Sequence, residues 1–272
     1  MTTLRFVRPA GANTTYYNLS DMVPGRRDEL APPAIKQGDI TMKKSFVIPA
    51  FALLVAQPML SQAEDRDRDC DIPAATVSAV QVTLATVINL TDHNGGIFKP
   101  NRMWSAIVDR HGNLCSVINS GNDPWPGSRA IAIAKASTAN DFSNSGLALS
   151  TANLYAATQP GGSLYGLNNS NPYNPVFDQQ RLGVGFVPGG IITFGGGVAL
   201  YEGGQVIGGL GVSGDSSCAD HAIAYRMRKL AGLGTVPKGV APDDTDNIIY
   251  APIGIAPTGF EQPHCFPSDI TP

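Results

Sequence analysis

No two cysteines in this chain are spaced C-x-x-C, so the four present (Cys70, Cys115, Cys218 and Cys265) lack the pairing of a structural zinc site. Cationic excess is missing too. The chain has 19 Lys and Arg against 22 Asp and Glu, a formal net charge of −3. Nucleic-acid binding draws on clustered cationic side chains, so that class of partner is not expected. No internal repeat is present, which removes repeat architectures. Beyond the N-terminal region no apolar run is long enough to span a membrane.

The N-terminal region carries a three-part pattern. Met42-Lys43-Lys44 is a basic start, residues 46–60 (FVIPAFALLVAQPML) are mostly apolar, and Ser61-Gln62-Ala63 places small residues at a cleavage site. That is a secretory signal peptide, and its apolar stretch is too short for a convincing membrane span. Residues 1–41 precede it without clear periodicity. They read as a non-native or disordered extension, from a mis-called start codon or a genuine leader. Residues 42–63 are then the signal peptide and 64–272 a single exported domain, with a core at 73–233 and a tail at 234–272. The expected location is periplasmic or secreted. An even number of cysteines in an exported chain predicts two disulfides, for which three pairings exist. Cys70–Cys115 with Cys218–Cys265 is the favoured set, because the second bond would staple the Pro-rich tail to the last helix.

From Pro73, Val77, Val80, Leu84, Val87 and Ile88 recur at helical spacing, and Asn94-Gly95-Gly96 ends the segment. Residues 103–108 and 114–118 read as two strands around a polar turn. Ser128 is expected to cap an Ala-rich helix reaching about Phe142, and 150–157 a short helix. Residues 158–190 are a long loop rich in Gly, Asn and Pro, expected to serve as a cover or oligomer contact. Strands are predicted over 191–201 and 205–212, joined by Glu202-Gly203-Gly204. A last helix is predicted over about 217–231, with Ala219, Ala222, Ile223, Met227 and Leu230 inward. Hairpins imply antiparallel pairing, so the fold class is α+β: an antiparallel sheet flanked by helices, with a long loop and a Pro-rich C-terminal arm.

Candidate chemistry gathers at residues 209–228. Gly209 to Gly214 matches G-x-G-x-x-G, but a hairpin precedes it and no acidic residue follows at the distance that holds a ribose. Gly211-Val-Ser-Gly-Asp215 falls one Gly short of a nucleophile elbow. The same turn opens a helix, and Ser217 with Asp220 reads as a capping box variant. Free N–H groups there favour a small carboxylate, with Ser213 and Gly214 beside it; the alternative is that the glycines only permit a tight turn. His221, Tyr225 and Arg228 share one helix face beside the core face. An imidazole for haem iron, an aromatic ring and a cation suit a haem pocket; a half-exposed polar face without ligand is the alternative. Arg129, Lys135, Ser137 and Thr138 lie on the Ala-rich helix, as propionate partners or as its solvated side. His111 falls in a hairpin turn, His93 at a helix end and His264 beside Cys265, none in a metal motif.

Three segments resemble the GlcG/HbpS-like haem-binding (haem-degrading) family. These are Ser105 to Leu114 (SAIVDRHGNL), Ala130 to Ala139 (AIAIAKASTA) and Gly195 to Gly214. The loop at 158–190, the tail and the cysteines look like features of a longer exported subgroup. The resemblance implies a profilin/PAS-like α+β domain, homo-oligomerisation, and binding of haem or iron with slow haem degradation in some members. It carries over Lys135, Thr138, Ser213 and Gly214 as pocket candidates. The family's Gln-Asp-Glu run at the start of the last helix is Cys218-Ala-Asp220-His221 here. His221 as iron ligand is therefore this chain's own proposal, with Tyr225 nearby and Lys135, Arg129 or the helix N-terminus meeting the propionates. Two other readings stand beside it: an enzyme or sensor for a small organic acid at the Gly-Val-Ser-Gly turn, and an oligomeric interaction module without ligand.

Overall fold

The structure is a computed structural model and describes residues 70–174, 184–251 and 259–272. All of them fall in one compact unit, Pro58–Pro272. The expected extension and signal peptide, and part of the 158–190 loop, lie outside the described residues.

Four strands form one antiparallel sheet in the order β2-β1-β4-β3. They are β1 (Trp104–Asp109), β2 (Leu114–Asn119), β3 (Gly197–Glu202) and β4 (Gln205–Ser213). β3 starts later than the apolar run from Ile191 suggests. Residues 191–196 instead cross the end of a helix, where the Thr138 hydroxyl accepts the N–H of Ile192 at 2.9 Å. The helices are α1 (Ala74–Val87), α2 (Ser128–Asp141), the single turn α3 (Tyr155–Thr158) and α4 (Ser217–Leu230). No helix is long and apolar enough to cross a membrane, among the described residues.

Strand alternation divides the core into two layers. Ile107, Val198, Leu200, Leu210 and Val212 face α1 and α4, where they meet Val80, Leu84, Ile223 and Met227. Trp104, Ala106 and Val108 face the other way, onto Ala132, Ile133 and Ala136 of α2. α2 lies close enough to the sheet that a Cβ on Gly209 would collide with the carbonyl of Ala136, and one on Gly211 with that of Ala132. The Gly-rich block of β4 is therefore a seat for an Ala-rich helix. This supplies a packing reason for the motif and completes the case against a dinucleotide loop.

Both favoured disulfides form, with Cα–Cα separations of 5.1 Å for Cys70–Cys115 and 6.0 Å for Cys218–Cys265. The first ties the entry to α1 onto β2. The second ties the C-terminal arm to the first turn of α4. The described parts of the arm contain no helix, and one isolated bridge, Tyr250 with Gln262.

Candidate functional site

α4 buries Ala219, Ala222, Ile223 and Met227 as expected, but Leu230, at its last turn, is exposed, and the second face does not meet solvent. His221 and Arg228 are as buried as the core residues around them. What covers them is the arm. Nε2 of His221 accepts the N–H of Ile248 at 3.1 Å and lies 3.2 Å from Oδ1 of Asn247. Asn247 is held in turn: its amide donates to the carbonyl of Pro272, and its own carbonyl accepts from Asn153. Burial pushes the His221 imidazole down to about 4, against the opposing pull of Asp246 and the Asn247 contact. Its Nδ1 has no partner among the described residues.

Seven residues along the same helix, Arg228 is paired with Asp246. Nη1 donates to Oδ2 at 2.7 Å and to the carbonyl of Ala199 at 3.0 Å, and Nη2 donates to Oδ1. Tyr225 lies between the two. Its ring stacks on His221 at 5.9 Å, the Arg228 guanidinium sits 5.0 Å from its centroid, and its hydroxyl donates to Oγ1 of Thr245. Asp246 and Asn247 are the residues sequence reasoning missed. Their signal was indirect. A buried arginine demands a carboxylate, and the nearest acidic run on the chain is Asp243-Asp244-Thr-Asp246.

The N-terminal end of α4 is equally committed. Ser216, not Ser217, is the cap, its hydroxyl accepting the N–H of Ala219 at 3.2 Å. Asp220 is turned to other partners. One carboxylate oxygen accepts the N–H of Asp215, and the other accepts from Nζ of Lys135 at 2.7 Å. Lys135 also reaches the carbonyl of Val212 and lies 4.8 Å from the centroid of Phe194. Burial opposes both charges of this pair, lowering the lysine and raising Asp220 to about 6, while each partner supports the other's charged form. Asp215 accepts the N–H groups of Ile97, Phe98 and Ser216, and the N–H of Cys218 points at Sγ of Cys265. The N–H groups of Asp215, Ser216, Cys218 and Ala219 already have acceptors within the protein.

The other candidates divide the same way. Ser213 ends β4, buried, and Gly214 is pressed against the carbonyl of Arg102. Arg129 is a buried residue of α2, one turn and a half from Lys135, not a solvated helix side. Thr138 donates to the carbonyl of Ala134. His111 is exposed in its turn and paired with Asp71, His264 stacks on Tyr250, and His93 lies in a 3-10 turn beyond the end of α1. The structure therefore brings His221, Tyr225 and Arg228 together in one buried row, and places Lys135 with the Gly-Val-Ser-Gly turn at the opposite end of α4. As arranged, these residues do not fit a haem: the accepting nitrogen of His221 is occupied, and Lys135 and Arg228 are spent on buried carboxylates.

A four-stranded antiparallel sheet with one helix on one face and two on the other defines a small α+β domain. Within it, residues 98–228 match the family described as haem degrading protein HbpS-like. The chain is 29% identical over 183 residues to an uncharacterized 15.0 kDa protein of the dhaT-dhaS intergenic region of Citrobacter freundii, covering 67% of this chain and 93% of that one. It is 30% identical over 151 residues to the corrinoid adenosyltransferase PduO of the same organism, covering 56% of this chain. The match spans 33% of that enzyme's length, about a third. Among solved structures, the protein ORFY of Klebsiella pneumoniae aligns with 28% identity and a TM-score of 0.44 over 59% of this chain and 90% of that one. A PduOC:heme complex aligns with 26% identity and a TM-score of 0.46 over 61% and 98%.

Proposed function

We propose that this chain is an exported, homo-oligomeric haem-binding protein that sequesters haem or iron, with slow haem degradation as a secondary property. The observation that carries the reading is the HbpS-like match over residues 98–228, which takes in the whole sheet, α2 and most of α4. Two disulfides suit an oxidising compartment. The exported product should begin at Glu64, as N-terminal sequencing would show.

The closed arm bears directly on how this is tested. Hemin should be titrated into the oxidised chain and into a Cys218→Ser/Cys265→Ser variant, following the Soret band. A saturable shift is expected, larger once the arm is no longer stapled. Its loss in His221→Ala would assign the iron ligand. The same shift in His221→Ala would remove His221 from the site, and no saturable shift in any of these proteins would overturn haem binding.

A further inference from the structure

A cavity of about 400 Å³ opens where the C-terminal end of α4 meets the arm, lined in part by Tyr225, Arg228, Lys229, Gly234, Asp243 and Thr245. One wall of it is unfinished. Arg228 spends both terminal nitrogens on Asp246 and Ala199, yet its Nε, also buried, has no partner among the described residues. Buried donors without acceptors are rare, and a specific one asks for an explanation. The Cβ position of Gly234, on the cavity wall, lies 3.8 Å from this Nε and 3.6 Å from the Cα of Lys229. The unpaired N–H edge therefore stands beside the side of the cavity that a glycine leaves open.

The charges around the cavity are balanced. Asp246 answers Arg228, which leaves one exposed cation, Lys229, and one exposed carboxylate, Asp243. Asp243 is already positioned, accepting the Thr245 hydroxyl at 2.7 Å. A purely anionic ligand would face that carboxylate unpaired. A ligand with both signs would satisfy each wall.

We propose that this cavity binds a small α-amino acid as its zwitterion. The ligand carboxylate accepts from Arg228 Nε–H and Lys229, and its ammonium donates to Asp243. The site borrows Tyr225 and Arg228 from the buried row without including His221, and needs no movement of the arm. Gly234 makes the test clean. Its backbone is outside the left-handed region, and a Cβ there meets only ordinary contacts, so Gly234→Leu fills the cavity without straining the fold.

The full-length oxidised chain, with no haem present, should be titrated by calorimetry with glycine, L-alanine and L-serine, and with acetate, ethylamine and L-lactate as partial ligands. Saturable binding of at least one amino acid is expected, with acetate and ethylamine at least ten-fold weaker. Gly234→Leu should weaken binding at least ten-fold with an unchanged circular dichroism spectrum, and Lys229→Ala several-fold. No saturable amino-acid binding, or equal binding by Gly234→Leu, would overturn the site. Lactate binding as tight as alanine would overturn the ammonium–Asp243 pairing. Because hemin is absent, none of these outcomes depends on the haem reading.

Discussion

The sheet-and-helix core and the C-terminal arm are built by opposite rules. The core is periodic: strands alternate, Gly209 and Gly211 seat α2, and apolar rows close the two layers. The arm has no helix among its described residues and contributes little to those layers. It acts instead through single contacts, several of them on α4: Asp246 on Arg228, Asn247 and the N–H of Ile248 on His221, and the disulfide from Cys265 to Cys218. The arm therefore decides what the α4 face is free to meet.

The sharpest way to break this comparison is to put a polar contact of the arm's kind inside the core. Lys135–Asp220 is one, with both side chains almost fully buried. Lys135→Ala leaves Asp220 uncompensated and should cost about 3–5 kcal/mol in denaturant unfolding. Arg226 pairs with Asp92 at the surface, with side-chain exposures of 22% and 40%. Arg226→Ala should cost less than about 1 kcal/mol. Similar losses in the two variants would show that Lys135–Asp220 is screened as a surface pair is.

The same contrast explains what was legible in the sequence. Hairpins, the Ala-rich helix and the last helix announce themselves by period and turn residues, and one disulfide pairing of the three was favoured by where Cys265 sits relative to the last helix. Boundaries slipped where a side chain had a better use. Ser217 with Asp220 looks like a cap, but Asp220 is drawn to Lys135 and the adjacent Ser216 takes the role. The row His221, Tyr225, Arg228 was visible from helical spacing alone. Its burial was not, because Asp246 and Asn247 arrive from an aperiodic segment whose path no local pattern encodes.

Unstapling the arm comes next in size. Cys218 and Cys265 are separated by 47 residues. Closing a loop of that length in the unfolded chain corresponds to about 4 kcal/mol on chain-entropy grounds. The double Ser variant should lose stability of that order, and hydrogen exchange should rise first at Ile248, whose amide is bonded to His221. If exchange at Ile248 stays as slow as in β1, the polar contacts hold the arm without the bond, and the arm belongs to the core.

A further test isolates one side chain through pH. Burial lowers the folded-state pKa of His221 to about 4 from an ordinary 6.5. Between those values the unfolded chain takes up a proton that the folded chain refuses, so stability is full above 6.5 and is lost as pH falls toward 4. The shift of roughly 2.5 units corresponds to about 3 kcal/mol at the acid end. Asp220, raised to about 6 by burial, works in the opposite direction, gaining stability as pH falls through the same range. The two must therefore be separated by variants. His221→Gln should be less stable than the parent at pH 7 and should lose less on acidification to pH 4.5, measured by thermal unfolding at each pH. An unchanged acid slope would mean that the imidazole is already solvated, and that the arm does not seal this face of α4.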